Sequence, residues 1–167
     1  MQDEGAPDNI DQGTTQHRRL PFRDGAFGLV ANRHEAFLAA EVNRVLSPGG
    51  VFITQQVDFH SYDDLYRLVG QAVPEQPDSW LPLARRQIQD AGLTVETATS
   101  GEERYEFRDV SAVVYYLRLV SWAIPQFSID TCRPQLRAAH EATGSWPLAV
   151  RLRRFLPIAA KPGGQPR

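Results

Sequence analysis

Two short polar clusters stand where a protein can hold a small ligand. Asn32-Arg33-His34-Glu35 follows directly on an apolar run at 27–31, and Thr54-Gln55-Gln56 follows on Val51-Phe52-Ile53. Amide, hydroxyl, guanidinium, imidazole and carboxylate groups so placed lie just past the ends of two strands, where ligands of open α/β sheets bind. A plainer reading stands beside this one. Asn32 would cap the next helix, Glu35 would favour its first turn through the dipole, and Thr54, Gln55 and Gln56 would be a wet strand end. Tyr115, Tyr116, Trp122 and Phe127 could form an aromatic lid over a hydrophobic substrate, or could pack as core at helical spacing. His17, His60 and His140 are isolated and lack metal-ligand spacing, so no metal is expected. Cys132 stands alone with nothing in the sequence to lower its pKa, and no serine, histidine and aspartate fall into a catalytic pattern.

The elements that must position these clusters follow from periodicity. The run 27–31 has strand length. A helix is expected over 34–46, with Leu38, Val42 and Val45 as one buried stripe, Phe37 beside it, and Glu41 and Arg44 mostly facing away. Ser47-Pro48-Gly49-Gly50 ends that helix, and 51–54 is apolar on both faces, as a strand buried between helix layers requires. Strand, helix, glycine turn and strand make a right-handed βαβ unit with parallel strands. A second helix is expected over 79–91, then alternating segments at 93–98 and 104–108 joined by a hairpin loop or plain connector. Asp109 is placed to cap a helix reaching about Trp122. Another helix spans about 130–143 and stops at Gly144. A long strand over 148–158 closes the pattern, with Pro157 pointing to an edge or a bulge.

The chain has 167 residues, of which 42% are hydrophobic and 23% charged, enough for one compact domain with a core. Eighteen basic and 20 acidic residues nearly cancel, so no electrostatic footprint for nucleic acid or an anionic membrane is expected. Arg151, Arg153 and Arg154 read as a solvated strand face. No apolar run nears the roughly 20 residues that span a bilayer. One cysteine excludes a disulfide framework and points to a reducing, cytoplasmic setting. Residues 1–19 carry too little apolar surface to order firmly, and 163–167 reads as a flexible tail.

Leu20-Pro21-Phe22, Asp24-Gly25, Phe27 and Leu29-Val30, followed by Arg44-Val45-Leu46-Ser47-Pro48-Gly49-Gly50 and Val51-Phe52-Ile53, resemble the second half of class I S-adenosylmethionine-dependent methyltransferases. The tyrosine-rich helix with Trp122 and Pro125, and the basic strand ending Ala159-Ala160-Lys161-Pro162, are similar to the end of bacterial members. The resemblance covers about 20–162. It implies an α/β fold: a partial Rossmann-like methyltransferase sheet, with parallel strands plus an antiparallel C-terminal strand, flanked by helices. It also implies methyl transfer from S-adenosylmethionine to an unidentified, small-molecule acceptor. Asn32, Arg33 and His34 would flank the methionine part of the cofactor. Glu35, Gln55, Tyr116 and Trp122 would face the acceptor.

Three departures accompany it. The glycine-rich loop and the ribose-binding acidic residue have no counterpart, Gly28 stands where aspartate is usual, and Gln16 and His17 stand near where an acidic residue often precedes the Leu-Pro-Phe block. The expectation is therefore the C-terminal portion of such a domain, with the N-terminal cofactor-binding half missing. A homodimer or a complementing N-terminal half would be its partner. The alternative is an inactive or vestigial fragment acting at most as a non-enzymatic interaction module.

Overall fold

The computed structural model describes residues 19–142 and 146–163. Their elements run β1 (Phe27–Arg33), α1 (Ala39–Val45), β2 (Leu46–Val57), α2 (Asp63–Leu68), α3 (Leu81–Asp90), β3 (Thr94–Phe107), α4 (Val110–Leu119), α5 (Ile129–Glu141) and β4 (Leu148–Ala160). The four strands form one mixed sheet in the order β1-β2-β4-β3. β1 and β2 are parallel, with Val30 opposite Phe52 and Asn32 opposite Thr54, as the βαβ reading requires. β4 runs antiparallel to β2: Lys161 N–H donates to the Gly50 carbonyl at one end, and Asp58 N–H donates to the Arg153 carbonyl at the other. The expectations on the first 18 residues, on the Gly144 stop and on 164–167 fall outside the described residues.

The chain divides into two compact units. The first comprises Met1–Gln56, Trp80–Ser100 and Phe155–Arg167. Its core gathers Phe37, Val42, Leu46, Phe52, Ile88 and Leu93, with the Phe37 and Phe52 rings edge to face at 5.1 Å. The second comprises Val57–Ser79 and Gly101–Arg154, and its core is Leu65, Val69, Phe107, Val113, Leu117, Ile124, Leu136 and Val150. Asp109 caps α4 as its position promised, its carboxylate accepting from Ala112 N–H at 2.8 Å.

Several elements differ from the periodicity. α1 begins at Ala39 rather than 34, because β1 continues through Arg33 to pair with Gln55, and His34 then turns at φ 55°. Asn32 is thus a strand residue and caps nothing, and Leu38 falls outside the buried stripe. β3 is one continuous strand through 100–103 with no hairpin, lying along the 13-residue β4. Pro157 lies in an interior strand rather than at an edge. α4 stops at Leu119, short of Trp122.

The basic triplet of β4 is no solvated face either. Arg151 is exposed, but Arg154 is 8% exposed and donates to the Tyr105 hydroxyl at 3.0 Å and to Glu103 at 3.2 Å. Arg153 is half-buried and donates to the Asp78 carbonyl.

Glu41 and Arg44 do not face away. Arg44 pairs with Glu41 at 2.5 Å and Asp24 at 2.6 Å and donates to the carbonyls of Leu20 and Phe22, so it pins loop 20–24 onto α1. Hydrogen bonds from the Arg44 side chain, reinforced by Leu20 N–H, hold the Glu41 carboxyl at about 2 against its ordinary 4.5. A carboxyl with a depressed folded-state pKa stabilises the fold above its unfolded value and loses that stabilisation as pH falls through the folded one. Glu41→Gln is therefore expected to be less stable than the parent at pH 7, with the difference shrinking from pH 4.5 towards pH 2. Urea titrations across that range check it; a difference that is constant with pH would refute the pairing.

Candidate functional site

The carboxyl ends of β1 and β2 lie side by side in the first unit, because Asn32 and Arg33 are in register with Thr54 and Gln55. Along β2 one face stays buried from Phe52 through Thr54 to Gln56, at 0%, 0% and 6% exposure. The core side of the strand therefore turns from apolar to polar without becoming wet. Buried polar groups must be paired, and here they pair with β1. The Thr54 hydroxyl donates to Asn32 Oδ1 at 2.9 Å, and the Gln56 amide donates to the same oxygen at 2.6 Å. Gln56 Nε2 also lies 3.0 Å from the Glu35 carbonyl and 2.7 Å from the Thr54 hydroxyl.

These bonds engage the oxygen end of the Asn32 amide. Among the described residues no acceptor takes its Nδ2 protons, which leaves two donors available near the strand end. On the other face of β2, Gln55 Oε1 accepts from Arg33 Nε at 3.0 Å, and the Gln55 carbonyl accepts from His34 N–H at 2.8 Å. The second bond holds His34 in the left-handed region, which a side-chain-bearing residue enters at a cost and usually at functional sites. Glu35 is exposed; its carboxylate accepts from Ala36 N–H at 3.3 Å, and its carbonyl is the part tied to Gln56.

Five of the residues expected from the sequence, Asn32, Arg33, His34, Glu35 and Gln55, are thus drawn together by this strand pair. Tyr116 and Trp122 belong to the second unit and take no part in these bonds. Tyr116 is half-buried against Phe107, ring centres 5.3 Å apart, and Trp122 is 70% exposed. The sequence reading missed a hydroxyl cluster in that unit. Burial raises the Tyr62 and Tyr116 pKa values, and the positive charge of Arg154 opposes both shifts. The reading also missed Asp58, a buried carboxylate one residue past β2 that accepts from Phe59 N–H and from the Ser79 hydroxyl at 2.5 Å. Among the described residues no group of three or more His, Cys, Asp or Glu side chains could hold a metal ion. No described helix is long and apolar enough to cross a membrane.

No protein-family model and no curated protein matches the chain in sequence. Solved structures do match in shape. One is a candidate methyltransferase from Bacillus halodurans, 13% identical, with a TM-score of 0.50 over 86% of this chain and 68% of that one. The YcgJ protein of Bacillus subtilis is 17% identical, with a TM-score of 0.48 over 87% of this chain and 68% of that one. A Haloferax volcanii candidate methyltransferase, solved in complex with the Trm112 methyltransferase activator, is 19% identical, with a TM-score of 0.45 over 89% of this chain and 59% of that one. The chain has the class I methyltransferase fold.

The sequence resemblance implies S-adenosylmethionine, and the donor set can be tested against it. The Asn32 amide protons and the Arg33 guanidinium suit a carboxylate, so the residues fit the amino-acid end of the cofactor. Among the described residues the glycines give no matching cradle for its nucleoside. A side-chain carbon on Gly28 would meet nothing within 4 Å, and the tight surroundings of Gly50 and Gly70 are protein atoms.

Proposed function

We propose that the chain is a methyltransferase domain that takes its methyl group from S-adenosylmethionine and passes it to a small-molecule acceptor. The observation that carries the reading is the Asn32 amide, whose oxygen is held by Thr54 and Gln56 near the ends of two parallel strands. Bound here, the cofactor supplies a methyl group already activated on sulfur. The chain's own task is then mostly placement, because holding two reactants in line removes much of the barrier. Asn32 would donate to the methionine carboxylate, Arg33 would add charge from a guanidinium steadied by Gln55, and the His34 backbone would set the direction of the strand exit. Glu35 and Gln55 would border the acceptor.

A second reading has its own support. Among the described residues β1 ends the sheet at one side, no glycine-rich loop occurs over 20–162, and Leu20, Phe22 and Leu29 are 41%, 46% and 56% exposed. An open edge of this kind is a template for another strand. In that reading the chain is an interaction module, completed by a second copy or a complementing half. Calorimetric titration of the folded chain with S-adenosylhomocysteine separates the two. Micromolar binding is expected from the first reading. A folded chain that gives no heat at millimolar ligand leaves only the second.

A further inference from the structure

Within the second unit, α4 and α5 pack together and leave an open groove of about 480 Å³ between them. That lies inside the roughly 300–1,000 Å³ typical of small-molecule sites. The floor is aliphatic: Val110 and Val114 from α4, Ile129 and Leu136 from α5. Tyr115, 67% exposed, stands at the margin. The rim is cationic, with Arg118 contributed by α4 and Arg133 and Arg137 by α5, and the His140 imidazole stands beside them.

Two carboxylates answer that charge, and both are already engaged. Asp130 pairs with Arg133 at 2.5 Å and Glu141 with Arg137 at 3.4 Å, and all four side chains are at least 67% exposed. Ion pairs in water are worth little, so either guanidinium can turn to a better acceptor at small cost. Arg118 has no carboxylate partner among the described residues. Three guanidiniums facing two exposed carboxylates over an aliphatic floor are complementary to one kind of molecule, an apolar chain ending in an anion. A planar carboxylate also matches the two-pronged geometry of arginine.

We propose that the α4/α5 groove binds a free medium-chain carboxylic acid, its chain along Val114, Ile129 and Leu136 and its carboxylate on Arg118. The site lies wholly in the second unit and stands whether or not the methyl-transfer reading does. The test is calorimetry on the full chain with decanoate, decanol and decyltrimethylammonium, each below its micelle concentration. Decanoate is expected to bind, with the cationic and neutral analogues weaker by about tenfold or more, since a charge-assisted bond contributes roughly 1.5–3 kcal/mol. Arg118→Glu, a change at an exposed position, is expected to weaken decanoate by at least about tenfold, with the circular dichroism unchanged. Amide shifts on decanoate addition should be confined to α4 and α5. Equal affinity for the three head groups would reduce the groove to a greasy surface. Unaltered binding by Arg118→Glu, or shifts centred elsewhere, would also overturn the assignment.

Discussion

Phe52→Ala is expected to lower the stability of the chain by about 3–5 kcal/mol, the range for deleting a buried aromatic ring. Phe52 is completely buried in β2, which has β1 on one side and β4 on the other. Its ring meets Phe37 edge to face and packs among Val42, Leu46, Ile88 and Leu93. A cavity there closes poorly, because an interior strand cannot shift without breaking ladders on both sides, so the cost belongs in the upper part of the range. Leu29→Ala is the control. Leu29 is 56% exposed on β1, and its truncation is expected to stay within about 0.5 kcal/mol. Domains of this size often have only about 5–15 kcal/mol in hand. Phe52→Leu, expected to cost about 1.5 kcal/mol or somewhat more, keeps the comparison measurable if the alanine variant fails to fold. Urea unfolding followed by circular dichroism reads all three. A loss below about 1 kcal/mol for Phe52→Ala would mean that the Phe37–Phe52 cluster does not pack as described.

Phe52 also shows what the sequence could and could not disclose. Val51-Phe52-Ile53 is apolar on both faces, which is enough to place a central strand, and the helix and glycine turn before it fix a parallel βαβ unit. The cap at Asp109 was equally readable, since a β-region aspartate before a helical apolar period has few other uses. The site was only half legible. Its residue types and strand-end placement were visible, but the direction of each side chain was not. Period-two counting from Phe52 puts Thr54 and Gln56 on the buried face and Gln55 on the other. That signal separates Thr54 and Gln56, the two residues joined to Asn32, from Gln55, whereas polarity alone weights the three equally.

The arginines failed for a related reason. Residue type says surface, while register says otherwise. Arg154 and Phe155 are both buried, because the alternation of buried residues along β4 changes phase between them. Glu103 and Tyr105, two residues apart and hence on one face of β3, supply the charge and hydroxyl that make the burial tolerable. Helix periodicity places Arg44 outward because it cannot see a loop folding back on the helix. Its partners Leu20, Phe22 and Asp24 lie 20 or more residues earlier.

Gln56→Leu is expected to do the most damage to the proposed cofactor site. Leucine fills a similar volume but removes the donor that Asn32 Oδ1 and the Glu35 carbonyl share. The stability cost is the desolvation of those acceptors, about 1–3 kcal/mol. The functional cost is larger in consequence. With only Thr54 left on its oxygen, the Asn32 amide can rotate, and its protons are no longer fixed on the ligand carboxylate. A hydrogen bond to a charged group contributes roughly 1.5–3 kcal/mol, so S-adenosylhomocysteine affinity should fall by about tenfold to a hundredfold. Asn32→Ala, which removes the donor itself, should match that loss in affinity while leaving Gln56 its bonds to Thr54 and Glu35. Gln55→Leu frees only Arg33 on the opposite face and should cost less than either. The ordering of the three variants is therefore the diagnostic. If Gln56→Leu unfolds more easily yet binds S-adenosylhomocysteine as the parent does, the Asn32–Thr54–Gln56 network is a device for joining β1 to β2 and holds no ligand.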